Sequence, residues 1–243
     1  DLKSADHRKT INLCETVDDI FNASDIVIFC FNDTDASKIK HSSNERFRKM
    51  FTHSIIIRDI IKNSPSLSHF KGTILVVTNP VDILSWVTYQ FSNLLSNQVY
   101  GIGLGLDYQR LKTITAKDIS VTGEHGDLIH LTEIKRGTAY PYYDGDLLNQ
   151  IKTYSNRVRE FLPRTRFGPV HEILRVIKTI RNTGTIHVSS KIDKYFLGNT
   201  ITLKNNIPEP TYLQSQDLSD ALERTFDQHH EYQETIIDCL KSV

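Results

Sequence analysis

Glycine is scarce in the first third of the chain, whose first glycine among 243 residues is Gly72. Neither a GxGxxG dinucleotide fingerprint nor a Walker phosphate loop therefore occurs where such a motif would be expected. Any glycine-rich phosphate loop would have to lie outside these residues.

Cysteine and long apolar runs are scarce as well. Cys14, Cys30 and Cys239 lie far apart without a CxxC pair, which argues against a disulfide or zinc framework, and no metal site is predicted. Cys14 and Cys30 stand in apolar runs, so we predict buried free thiols in a reducing compartment, the cytoplasm. No signal peptide is recognised, and no apolar run approaches the roughly 18 residues of a membrane span.

The charge is balanced, with 29 basic and 29 acidic residues. A neutral chain has no overall field that would attract it to nucleic acid or to an acidic membrane. We therefore predict neither kind of partner.

The first half alternates buried-type strands with helical patterns. This order predicts a doubly wound α/β sheet with parallel strands, in which ligands bind at the carboxyl ends of the strands. The first strand is nearly continuous in apolar residues, so it is predicted to be buried on both faces. Residues 32–45 are polar and predict a surface loop, either a functional lid or a plain linker. The predicted elements are strand Asp25–Phe31, helix Arg46–Asn63, strand Thr73–Thr78, helix Asp82–Leu95 and strand Val99–Leu106.

The second half predicts a smaller α+β part. Helical spacing occurs in Leu147–Phe161, Pro169–Arg181 and Leu218–Leu240, and residues 185–203 have the pattern of an antiparallel hairpin or meander. In the second of these helices we expect a packed apolar stripe, which consists of Val170, Ile173, Leu174, Ile177 and Ile180.

We divide the chain into an incomplete dinucleotide-binding domain, 1–105, and a substrate domain, 106–243.

Four polar residues stand at or near predicted strand ends: Asn79, Asp107, Arg110 and His125. A histidine can exchange a proton near neutral pH, and a carboxylate can hold its ring in one tautomer. An arginine can grip a substrate carboxylate with two hydrogen bonds, and an amide can bind a reacting oxygen. Each residue also has a plainer interpretation as a helix cap, a turn or a surface charge. Together, in this order, they favour hydride-transfer chemistry on a hydroxy acid.

The motifs that contain these residues resemble the signatures of the L-lactate/malate dehydrogenase family. They are NPVDIL at 79–84, GxGxxLDxxR at 101–110 and GEHGD at 123–127. The resemblance implies an NAD-dependent oxidoreductase acting on a small 2-hydroxy or 2-oxo acid of the lactate type. It also implies a homodimer or homotetramer.

The resemblance also implies roles for individual residues. His125 would be the catalytic acid/base, with Asp107 as its partner. Arg110 would bind the substrate carboxylate, with further substrate contacts from Asn79, Arg46 and Thr165. Arg46 is the candidate for a mobile-loop arginine that polarises the carbonyl. Asn79, Val77 and Phe31 would line the cofactor.

The chain departs from the family pattern in three places. The first βαβ unit with its glycine-rich loop is not recognised, so the chain is expected to begin after it. Phe31 stands where the family has small residues, and would crowd a cofactor if its ring pointed inward. Only 17 residues separate Asp107 from His125, which predicts a shortened helix and a possible shift of the two side chains. These departures leave a second hypothesis open, a non-catalytic relative with a binding or assembly role.

Overall fold

The computed structural model describes residues 13–31, 45–160, 167–204 and 207–241. Residues 32–44 of the predicted loop and Thr165 lie outside the described residues. Glu45, predicted as the last residue of that loop, is the first residue of a helix. The α-helices are α1 (Val17–Ala23), α2 (Glu45–Lys62), α3 (Val81–Ser92), α4 (Leu104–Ile114), α5 (Gly145–Arg159), α6 (Phe167–Ile180) and α7 (Gln216–Lys241), with short 3-10 helices at Pro65–His69 and Ser96–Gln98. The strands are β1 (Ile26–Phe29), β2 (Thr73–Val76), β3 (Val99–Gly101), β4 (Ile119–Gly123), β5 (Ile129–Lys135), β6 (Thr138–Pro141), β7 (Gly184–Ile192), β8 (Tyr195–Lys204), β9 (Ile207–Pro210) and β10 (Leu213–Gln214).

The strands form one continuous sheet in the order β1-β2-β3-β7-β8-β4-β5-β6-β10, with β9 paired to β8. β1, β2 and β3 are parallel, with Phe29 opposite Val76 and Val76 opposite Gly101. The strands β7, β8, β4, β5 and β6 pair antiparallel. The predicted α/β part and the predicted antiparallel hairpin are both present, whereas β4, β5, β6, β9 and β10 were not predicted. The division at residue 105/106 stays a prediction.

Four apolar clusters hold the helices against this sheet, and the smallest of them packs the start of α7 on β6. The first joins α2, α3 and α7 to the parallel strands, through residues such as Met50, Trp86 and Ile236. The second lies between α6 and the central strands, and the third packs α4 and α5 on β4 and β5. Within the described ranges, the helices lack the combination of length and apolar character needed to cross a membrane.

The glycine-rich run after β3 corrects one predicted element. The strand expected over Val99–Leu106 ends at Gly101, and α4 begins at Leu104. Apolar residues alternate with glycine here, and this alternation resembles a strand. Leu104 and Leu111 are nevertheless both buried at helical spacing in the third cluster. Asp107 therefore lies in the first turn of a helix and not at the end of a strand.

The edge of the sheet corrects a second expectation. β1 is buried on one face only, because Ile28 is 37% exposed while Val27 and Phe29 are buried. Side chains alternate between the two faces of a strand, and Cys30 follows Ile28 to the open side. Cys30 and Cys14 are exposed free thiols, so the prediction of burial was wrong.

The predicted stripe on α6 is only partly buried. Val170 and Leu174 are 54% and 51% exposed. Ile173, Ile177 and Ile180 pack on the second cluster together with Val176, which the prediction omitted. The stripe that faces the sheet is therefore centred about one residue away from the predicted one.

Candidate active site

Asp107 and Arg110 are one turn apart on α4, so their side chains leave the same face of the helix. Arg110 Nη1 donates to Asp107 Oδ1 over 2.7 Å. The side chain of Asp107 is fully buried, whereas that of Arg110 retains 18% exposure. The carboxylate is thus fixed in the interior while the guanidinium reaches the surface.

His125 stands in a tight turn between β4 and β5. Gly123 and Gly126 have φ of +100° and +82°, values that glycine adopts readily. The amide of Glu124 donates to the carbonyl of Leu128 over 3.0 Å and closes the turn. This local geometry directs the imidazole of His125 back toward α4.

The ring of His125 meets the second oxygen of Asp107. Nδ1 of His125 lies 2.5 Å from Asp107 Oδ2, and the side chain is 12% exposed. The short segment between the two residues has therefore not separated them. Because Asp107 engages Nδ1, the nitrogen left for proton exchange with a substrate is Nε2.

Two further residues confine His125. The backbone N–H of His125 donates to Oδ2 of Asp82 over 2.9 Å. Gly103 lies against the ring, and a Cβ at that position would be 2.6 Å from His125 Cγ and 2.7 Å from Val81 Cγ1. The start of α3, the start of α4 and the histidine turn therefore converge at one point.

The surrounding charges favour the protonated form of His125. Burial has the largest single influence and lowers the pKa of His125, and Arg110 acts in the same direction. The attraction of Asp107 and Asp82 outweighs both, so the pKa lies above its ordinary value of 6.5. An imidazole in this setting can hold a proton at neutral pH and release it to a bound group.

Behind the turn lies a second group of buried polar residues. Arg46, in the first turn of α2, forms an ion pair with the buried carboxylate of Glu124. His229 of α7 has Nε2 3.7 Å from Glu124 Oε2, and burial lowers the pKa of His229 to about 4. Arg46 is thus positioned on a helix, beside the residue that precedes His125.

The three residues predicted to line a cofactor lie at the carboxyl ends of β1 and β2. Asn79 is exposed, Val77 and Phe31 are half-buried, and the Phe31 carbonyl accepts a hydrogen bond from Thr78 Oγ1 over 2.8 Å. The ring of Phe31 packs edge-on against His53, with centroids 5.7 Å apart. In this position the ring joins the first apolar cluster.

The backbone at Asn79 is fixed by the same histidine. Nδ1 of His53 lies 3.0 Å from the Asn79 carbonyl oxygen, and it must be the donor because a carbonyl only accepts. Val81, two residues after Asn79, lies beside Gly103 at the point where Gly103 packs against the ring of His125. Asn79 therefore belongs to the same corner of the molecule as His125.

Asp107 contacts both Arg110 and His125, and Arg46 pairs with Glu124, the residue before His125. Asn79 contacts His53 and lies two residues before Val81, which is beside the same ring. Sequence reasoning missed Asp82, Gly103 and His229. Asp82 was visible within NPVD as the first residue of the predicted helix Asp82–Leu95. The part of the chain that the structure describes contains no group of three or more His, Cys, Asp or Glu suited to a metal ion.

No protein-family model matches the chain. The chain is 31% identical over 150 residues to malate dehydrogenase of Archaeoglobus fulgidus, over 56% of this chain and 48% of that protein. It is 34% identical over 113 residues to L-lactate dehydrogenase 1 of Bifidobacterium longum, over 43% of this chain and 34% of that protein. The solved structure of A. fulgidus malate dehydrogenase in complex with NADH superposes with a TM-score of 0.70 at 22% identity, covering 88% of this chain and 76% of that one.

The structural likeness establishes the fold class as a Rossmann-type α/β sheet with a C-terminal α+β part, as predicted. In sequence, the chain is similar to malate and L-lactate dehydrogenases over about half of its length, in agreement with the resemblance of its three motifs. The chain spans about half the length of the curated relatives that it matches.

Proposed function

We propose that the protein is an NAD-dependent oxidoreductase that interconverts a small 2-hydroxy acid and its 2-oxo acid, of the lactate type. The observation that supports this most strongly is the contact of one carboxylate, Asp107, with both Arg110 and His125. It combines a proton donor, an orienting anion and a carboxylate-binding cation in one corner. The similarity to malate dehydrogenase and L-lactate dehydrogenase supports the same reaction class.

His125 is the acid/base of this proposal. During reduction, Nε2 donates its proton to the carbonyl oxygen of the oxo acid, and during oxidation it removes the hydroxyl proton. Asp107 orients the ring through Nδ1 and stabilises the imidazolium. NAD(H), when bound, supplies or accepts the hydride.

Arg110 is the proposed clamp for the substrate carboxylate. A guanidinium has five N–H donors in a planar fork, and the contact with Asp107 uses Nη1. The partial exposure of Arg110 leaves the rest of the fork accessible to a planar anion. Thr165 and Arg46 stay proposed substrate contacts, and Arg46 would have to exchange Glu124 for the substrate carbonyl.

The residues present fit one end of NAD. The exposed amide of Asn79 lies at the carboxyl end of β2 next to the His125 corner, where it would hold the nicotinamide with Val77 and Phe31. These 243 residues contain no GxGxxG loop of the kind that binds a pyrophosphate. A cytoplasmic location and a homodimeric or homotetrameric assembly complete the proposal.

A second candidate function is a non-catalytic binding or assembly role. The ion pair between Arg46 and the buried Glu124 favours it, because it engages the guanidinium that would polarise the substrate.

Cofactor binding and turnover distinguish the two functions. We expect NADH fluorescence to change on titration with the chain, and we expect NADH oxidation in the presence of pyruvate or oxaloacetate. His125→Ala should abolish turnover while leaving the thermal unfolding transition cooperative. His69→Ala is the matched control, since His69 is exposed on a 3-10 helix next to the amino end of β2. Full turnover in His125→Ala would refute the proposed role of His125, and no NADH binding at millimolar cofactor would favour the binding role.

A further inference from the structure

The side chain of Asp82 connects two motifs that are 43 residues apart in sequence. Asp82 lies in the first turn of α3 with only 1% exposure. Its Oδ2 accepts the backbone N–H of His125 over 2.9 Å. The distance of 2.9 Å is that of a well-formed N–H···O hydrogen bond. This contact therefore ties the histidine turn to the start of α3.

His125 is consequently held at two separate points. Asp107 of α4 binds the ring, and Asp82 of α3 binds the backbone. A turn flanked by glycines has little rigidity of its own. Without the backbone contact, the turn could move while the ring followed Asp107, and the direction of Nε2 would no longer be fixed.

The charges around this corner come from five elements. His229 of α7 and His125 itself face Asp82. Burial raises the pKa of Asp82, whereas these two histidines act in the opposite direction. Asp107 and Arg110 of α4 face the ring of His125. Glu124 in the turn and Arg46 of α2 form the adjoining ion pair.

We propose that Asp82 is a positioning residue for His125, which fixes the backbone of the histidine turn so that the imidazole meets Asp107 in one orientation. The catalytic meaning of this role rests on the proposed function. The positioning itself does not, and it can be measured without turnover.

The test compares Asp82→Asn with Asp18→Asn by NMR. Asparagine at position 82 lacks the carboxylate, and its amide oxygen accepts the N–H more weakly than a carboxylate oxygen does. We expect the amide proton of His125 to exchange faster with solvent, and the pKa of the His125 ring to fall, because Asp82 favours the imidazolium. Asp18 is the matched control, since its carboxylate accepts the backbone N–H of Ser66 over 2.8 Å in another part of the fold. Asp18→Asn should leave both His125 signals unchanged.

Turnover provides a third readout that is separate from the first two. If the proposed function holds, kcat should fall by about 100-fold in Asp82→Asn, as small misplacements of a reacting group do, with a smaller change in KM. Altered His125 signals in a chain without turnover would contradict the proposed function but support the positioning role. An unchanged exchange rate and ring pKa in Asp82→Asn would overturn the positioning role.

A measurement on the unaltered chain covers the case in which Asp82→Asn does not fold. The amide proton shift of His125 should follow the protonation of the Asp82 carboxyl, recorded through its side-chain carbon, as the pH is lowered. An amide shift that does not respond to this titration would overturn the proposal.

Discussion

Gly103 provides the sharpest structural test of how the His125 corner is built. Gly103→Ala would place a methyl group 2.6 Å from His125 Cγ and 2.7 Å from Val81 Cγ1, whereas ordinary contacts begin at 3.4 Å. Because the methyl group would have a neighbour on each side, we expect the imidazole to move by about 1 Å. A displacement of this size costs about 100-fold in rate, and overpacking costs about 1–3 kcal/mol in the free energy of unfolding.

The assay for this prediction pairs steady-state reduction of the 2-oxo acid with thermal unfolding. Gly145→Ala is the matched control, because a Cβ at Gly145 in the first turn of α5 meets no heavy atom within 4 Å. We expect Gly145→Ala to equal the unaltered chain in rate and to unfold no earlier. If Gly103→Ala and Gly145→Ala had equal rates and equal transitions, the close packing inferred around His125 would be wrong.

Three further predictions concern polar side chains of the site and of the sheet. Asp107→Asn should lower kcat on the order of 10⁴-fold, since a neutral amide neither stabilises the imidazolium nor fixes its tautomer. Arg110→Lys should raise KM for the oxo acid about 10- to 100-fold, because lysine cannot form the paired hydrogen bonds of a guanidinium. Burial lowers the pKa of His187 to about 3, so the unfolded chain takes up this proton from about pH 6.5 while the folded chain stays neutral to about pH 3. Stability should therefore fall with acid over that range, by up to roughly 5 kcal/mol from this residue, and urea unfolding of His187→Gln should show a weaker acid dependence. An equal pH dependence in that variant would contradict the assignment.

Several elements of the fold follow directly from local sequence patterns. α2, α3 and α7 have apolar residues at helical spacing over three or more turns, and each forms within a few residues of its predicted bounds. The hairpin of β7 and β8 likewise agrees with residues 185–203. In these segments local spacing and burial favour the same structure.

Local patterns failed where apolar spacing is compatible with two structures. The run from Gly101 to Leu106 alternates as a strand does, yet it contains a strand end, a turn and a helix start. Ile28 and Cys30 have the residue types of a buried strand but lie on its open face. Whether a face of a strand is covered depends on the elements that pack against it, and the residues of the strand itself do not reveal this.

The proximity of Asp107 to Arg110 and His125 was predictable from the motifs, but the supporting contacts were not. The motif order identified Asp107, Arg110 and His125, two of which are only three residues apart. The contacts from Asp82 to His125 and from Arg46 to Glu124 join residues more than 40 positions apart. Such pairs depend on how α2, α3 and the histidine turn pack together, and a single sequence contains no direct signal for them.

The central claim is that His125, held by Asp107, exchanges the proton of the reaction. The most direct test is the pH dependence of kcat/KM in both directions, compared with the ring pKa of His125 from NMR titration. Since reduction needs the protonated ring, its rate should fall as the pH rises through that pKa, above the ordinary value of 6.5. Oxidation needs the neutral ring and should rise through the same pKa. A profile that is flat through the titration of His125, or unchanged in His125→Ala, would contradict the account.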